Sequence, residues 1–103
     1  MAELQFAIDS SRLAKFIEAR NIYLRGLADE AEGHETLAID RFVESARISE
    51  DFTAGYAQCL SKASFWIQAQ PENARELLKR LAEAQPSRTV AQEMLNRLNG
   101  QSK

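Results

Sequence analysis

Only a few residue types in this chain could carry chemistry, and their spacing decides what each could do. The single histidine, His34, follows Gly33 and begins no HxxxH or HxxE pattern, so it lacks the companions that would make it a metal ligand. The single cysteine, Cys59, falls on the apolar side of a helical segment, where a buried structural thiol is expected rather than a nucleophile. Asp29, Glu30, Glu32 and Glu35 form a solvated acidic segment, not a spaced acid and base pair. Gly26, Gly33, Gly55 and Gly100 fit no phosphate-cradling loop. Trp66 could stack on a small ligand or pack into a core, and packing is the default. The expectation is a chain without catalytic residues, metal or cofactor.

The bulk numbers agree. One hundred and three residues make one domain with one modest core. Thirteen basic and fifteen acidic side chains are interspersed, giving a formal net charge of −2 and no electrostatic reason to approach nucleic acid or an anionic membrane. No apolar stretch reaches the roughly 20 residues needed to span a bilayer, and no basic-then-apolar leader opens the chain. A cytoplasmic protein is expected.

Alanine, leucine, glutamate, arginine and glutamine dominate, and four glycines and two prolines leave few breaks, so the fold is expected to be all-α. Leu4, Phe6 and Ile8 alternate in a short N-terminal arm (1–9), and Asp9-Ser10-Ser11 offers helix-capping oxygens. Helices are expected near 10–32, 35–48, 53–69, 71–84 and 88–98, the first as one helix or as two broken near Asn21. Gly33, Pro71 and Pro86 supply the punctuation. Residues 99–103 are expected to be a frayed, disordered tail, outside a helical domain of 10–98.

Self-similarity organises these helices. The pairs 20–48 and 53–84 repeat at a period near 34 residues, with Ile22 and Tyr56 in equivalent places. Ile22 and Gly26 put a large residue and then a small one on the first helix of a pair. Gly33 ends that helix, and Ala38 and Phe42 repeat the small-and-large theme on the second. Ala74, Leu78 and Pro86 mark the second helix of the next pair. This pattern resembles the tetratricopeptide repeat family, with one unit over about 20–52 and a degenerate one over about 53–86. Arg25, Asp29, Glu50 and Leu60 depart from the family pattern. The resemblance implies a short array of helical hairpins in which Gly26 contacts Ala38 or Phe42, and Phe42 fills the junction between units.

It also implies a function. In such arrays the first helix of each pair lines a groove that holds a peptide or helix of another protein. Spacing selects Arg20, Tyr23, Leu27 and Glu30 in the first unit, and Ala54, Ala57, Ser61, Ser64 and Phe65 in the second. A single basic residue there argues against the carboxylate-gripping members of the family. An apolar side chain or amphipathic helix suits the surface better. Tyr23 and Leu27 have a second reading, packing inward on the N-terminal segment. The expected function is a non-catalytic adaptor or small chaperone. The alternative is an oligomerisation subunit whose groove is filled by its own arm or by a second copy. Residues 10–18, with Leu13, Phe16 and Ile17, are expected to pack on the repeat pair.

Overall fold

The computed structural model describes residues 2–101, with side chains from Ser10 to Gly100. They form five helices: α1 (Ala2–Ala31), α2 (Glu35–Ile48), α3 (Ala54–Ala69), α4 (Pro71–Ala84) and α5 (Val90–Gln101). There is no strand among the described residues, and the fold is all-α. No helix among them is long and apolar enough to cross a membrane.

The turn between α1 and α2 shows why Gly33 stands where it does. Gly33 has φ +85°, a left-handed conformation that costs glycine little. The His34 N–H donates to Asp29 O at 2.8 Å and the Gly33 N–H to Glu30 O at 3.0 Å, which satisfies the last carbonyls of α1. Pro71 opens α4 in its first turn, where a missing N–H costs nothing. Pro86 follows Gln85, the residue that closes α4.

Two expected boundaries are corrected. The 1–9 arm is not separate from the first helix, which begins at Ala2 and runs unbroken through Asp9-Ser10-Ser11 and Asn21. Aspartate and serine cost only a few tenths of a kcal/mol inside a helix, and no glycine or proline interrupts the chain before Gly26. The 99–103 tail is likewise shortened, since α5 continues to Gln101. The expected contacts of Leu4, Phe6 and Ile8 lie outside the described residues.

Side-chain contacts fix the topology. Asp29 meets Arg41, Ala19 meets Ser45 and Arg12 meets Asp51, so α2 runs antiparallel to α1. Glu30 meets Lys62 while Tyr23 meets Phe52, so α3 runs alongside α1 in the same direction. Asp40 meets Arg80 and Ala46 meets Gln85, which makes α2 and α4 parallel. Each helix packs on the next, α2 also touches α4, and α1 and α3 scarcely approach each other. The result is a slab of 55 × 32 × 14 Å, measured over Cα atoms.

The core is built on small residues facing large ones. Phe42, Leu78, Leu81 and Cys59 are fully buried, together with Ala38, Ala46, Ala63 and Ala74. A Cβ placed on Gly26 would lie 2.6 Å from Cε1 of Phe42 and 3.0 Å from Cβ of Arg41. The expected contact between Gly26 and Phe42 is therefore present, and only a residue without a side chain fits that crossing. Gly55 plays a matching part on the other side, where its Cβ would lie 2.7 Å from the carbonyl oxygen of Phe42. Phe42 is thus wedged between two glycines, one against its ring and one against its backbone, at the junction of α1, α2 and α3.

Polar groups close the remaining gaps. Ser45 Oγ, fully buried, donates to Ala19 O at 2.8 Å. Gln85 Nε2 donates to Ala46 O at 2.5 Å and Arg88 Nη2 to Glu50 O at 2.9 Å, which satisfies carbonyls at and just beyond the α2 C-terminus. Tyr56 Oη accepts the Ala91 N–H at 3.0 Å, tying the start of α5 to α3.

Candidate functional site

The residues that could do chemistry stay apart. His34 is exposed in the α1–α2 turn, its Nδ1 3.6 Å from a carboxylate oxygen of Glu32. Cys59 is fully buried in the core, and that burial pushes its thiol up to about 12. A thiol held protonated at neutral pH is a poor nucleophile. Among the described residues, no group of histidine, cysteine and carboxylate side chains is placed to hold a metal. Trp66 is half-buried against the core and lines a cleft of about 240 Å³ with Ile39, Leu77, Glu35 and Arg80.

The expected groove residues divide into two sets. Tyr23, Leu27 and Glu30 are turned partly inward. The Tyr23 ring lies 5.4 Å from that of Phe42 and 5.5 Å from that of Phe52. Leu27 packs on the core cluster, and Glu30 is paired with Lys62 Nζ at 2.5 Å. Tyr23 and Leu27 pack on the core, and Tyr23 also on Phe52, rather than on the N-terminal segment, which corrects the second reading of them. Arg20, Ala57, Ser61, Ser64 and Phe65 are exposed, and Ala54 is half-buried.

α3 is unusual in what it exposes. Its solvent-facing residues are Ala57, Ser61, Ser64, Phe65, Gln68 and Ala69, without a single charge. Its one charged residue, Lys62, is half-buried and paired. By contrast α4 presents Glu72, Glu76, Lys79 and Glu83 to solvent. Phe65 is 82% exposed, far more than any other large apolar side chain among the described residues.

A second surface was not foreseen. Leu13, Ile17 and Leu24 are exposed at 56%, 48% and 42%, correcting the expectation that residues 10–18 pack inward. Only Phe16 does so, edge-on to Phe52 with centroids 5.2 Å apart. The cause is the face they occupy: Ala19, Gly26 and Asp29 turn toward α2, and Leu13, Ile17 and Leu24 lie on another side of the same helix. α1 has 30 residues and α2 has 14, so they extend about 45 Å and 21 Å, and the early turns of α1 also run past the end of α2. Positions 13, 17, 20, 24 and 27 follow a 4-3-4-3 spacing that keeps one stripe in line along a helix.

Lys62 reaches across to Glu30, and Phe65 is its neighbour three positions along α3. Beyond that bridge α1 and α3 make few direct contacts. Comparison with family models, with curated proteins and with solved structures found no match to this chain.

Proposed function

We propose that this chain is a non-catalytic protein-interaction module that receives an amphipathic helix along the outer face of α3. The observation that carries this reading is the uncharged outer face of α3 with Phe65 standing free on it. Interface cores are depleted of charge and enriched in aromatic residues, and small residues beside an aromatic anchor let a partner backbone come close. The parallel run of α1 with α3 and of α2 with α4 supports a short tetratricopeptide-like array acting as an adaptor or small chaperone. The dispersed histidine, the buried cysteine and the mixed surface charge support no reaction and no nucleic-acid partner.

A photo-crosslinking residue introduced at position 65 tests this. Illumination in native lysate should give a discrete protein adduct that is absent when the same probe stands at Lys79 on α4. The Ser61→Glu variant, which puts a charge on the face, should suppress the adduct without changing the melting temperature. Equal labelling from both positions would defeat the proposal.

A second reading draws on the exposed apolar stripe of α1: a second copy of the chain could cover Leu13, Ile17 and Leu24. Mass measurement in solution separates the two, a monomer favouring the adaptor and a dimer favouring self-assembly.

A further inference from the structure

Between the parallel helices α2 and α4 lie two clefts, one on either side of a single ion pair. Arg80 Nη2 of α4 reaches a carboxylate oxygen of Asp40 on α2 at 2.8 Å and bridges the two helices. On the amino-terminal side of this bridge is the cleft of about 240 Å³ that Trp66 lines together with the buried Ile39 and Leu77. On the other side is a second cleft of about 250 Å³, between Val43, Glu44 and Arg47 of α2 and Glu83 and Ala84 of α4. Arg80 lines both.

Each cleft contains one glutamate of α4 that the chain leaves unmatched. Glu76 lines the first and Glu83 the second, both are exposed, and among the described residues no cation pairs with either. Arg80, four positions after Glu76, turns to Asp40 instead. Lys79 lies toward α5, beside Leu95 and Asn99. The remaining ions are spent: Arg47 on Glu44, and Lys62 on Glu30 and Glu35.

The helix dipoles sharpen this imbalance. At the amino ends of α2 and α4 the positive poles are already met by Glu35 and Glu72. At the carboxyl end of α4 no basic residue occupies the last turn, and Glu83 stands there instead. A carboxylate at a negative pole disfavours the helix on its own, and a cation from outside relieves it.

Glu76 and Glu83 are seven residues apart, so they stand on one face of α4 two turns from each other, about 10.5 Å. A helix laid along the clefts repeats that spacing with its own residues at i and i+7. We infer that the α2–α4 surface takes a basic helix of another protein, with arginine or lysine at i and i+7 seated in the two clefts. A small residue between them passes over the Arg80–Asp40 bridge. In the first cleft the cation meets Glu76 and the Trp66 ring, and its alkyl stem covers Ile39 and Leu77. In the second it meets Glu83 and the carboxyl end of α4. This surface is separate from the uncharged face of α3, and neither needs the other.

Titration of the intact chain with an alanine-rich helical peptide of about 20 residues, carrying two arginines seven apart, tests this. The peptide contains no tryptophan, so the fluorescence of Trp66, the only tryptophan of the chain, reports on the first cleft. A saturable change is expected, weakening as salt rises. A peptide of the same composition with its arginines five apart, on opposite faces, should bind on the order of tenfold more weakly. Glu76→Gln and Glu83→Gln should each weaken binding several-fold while leaving the fold intact, and Glu83→Gln should melt no lower than the parent. Glu83→Arg should reject the two-arginine peptide and accept one in which an arginine is replaced by glutamate. Equal binding of the two peptides, or binding that neither glutamine variant changes, would overturn the inference. So would a titration that never saturates. Binding lost in Phe65→Ala but kept in both glutamine variants would place the peptide on α3 and overturn it as well.

Discussion

At the crossing of α1 and α2 the Phe42 ring presses on Gly26, whereas α3 and α4 meet through Cys59, Ala63, Ala74 and Leu78, without a glycine. The first pair gains a large buried aromatic at the cost of a glycine in mid-helix, about 1 kcal/mol relative to alanine. The second pair keeps better helix formers and spreads its burial over Tyr56, Cys59, Leu77, Leu78 and Leu81. Their outer surfaces differ as well. α1 leaves large apolar residues around one arginine, while α3 leaves small uncharged residues around one phenylalanine. The first pair thus concentrates its packing in one wedge, and the second distributes it. Substitutions should hurt in proportion.

The largest effect is expected from Phe42→Ala. Its side chain is fully buried with its ring against Gly26, so its removal should cost about 3–5 kcal/mol in denaturant unfolding. That is close to the whole stability of a small domain, and much of the protein should be unfolded at 37 °C. A variant as stable as the parent would show that the wedge is not the keystone of the first pair.

Gly26 gives the sharper contrast. An exposed helical glycine gains stability when changed to alanine, by up to about 1 kcal/mol. Here a Cβ would sit 2.6 Å from the Phe42 ring, so Gly26→Ala should destabilise and Gly26→Leu should cost about 1–3 kcal/mol. In the second pair Ala63→Gly should also destabilise, because there the methyl group fills the crossing. A rise in melting temperature for Gly26→Ala would erase the distinction between the pairs.

Much of this architecture was legible before any coordinates. Gly33, Pro71 and Pro86 act locally through fixed dihedral preferences, so the inner helix boundaries could be inferred from them, whereas the contact of Gly26 with Phe42 followed only from the resemblance. The start of α1 could not, because Asp9-Ser10-Ser11 serves equally as a cap or as ordinary helix. The site was half legible. α1 carries two apolar stripes side by side, one through Phe16, Ala19, Tyr23 and Gly26 and one through Leu13, Ile17 and Leu24. Periodicity reports that both exist but not which one meets α2. That choice is made by tertiary packing, which turned Tyr23 and Leu27 inward and left Leu13 and Ile17 outside. Gly55 was missed because its constraint is the backbone of another helix, and no local pattern reveals that.

A smaller effect is expected where α5 joins the second pair. Tyr56→Phe keeps the ring in place but leaves the Ala91 N–H without its 3.0 Å acceptor. A lost neutral hydrogen bond of this kind costs about 1 kcal/mol. Amide exchange should quicken in the first turn of α5 and leave α1 and α2 unchanged. Uniform acceleration across all five helices would mean that α5 unfolds only with the whole array.

The smallest effect concerns the overhang of the first pair. Arg12 pairs with the Asp51 carboxylate at 2.5 Å, joining the early part of α1 to the turn that leads into α3. The hydrogen bond from Arg12, helped by the charges of Arg12 and Arg88, holds the Asp51 carboxyl below its ordinary value of 3.8. A carboxylate depressed by folding stabilises the native state at pH above its unfolded value, and that contribution fades as pH falls through the folded value. The pair therefore acts fully at neutral pH and is lost only in the acid range below about pH 4. Both side chains are well exposed, so salt and water screen it strongly. Carbon-detected NMR titration of Asp51 should give a midpoint below 3.8 that returns toward it in Arg12→Ala. Thermal stability at neutral pH should barely change in that variant. A large loss would mean that the overhang is held down by this contact and belongs to the cooperative core, which would remove the difference between the exposed end of α1 and the wedge around Phe42.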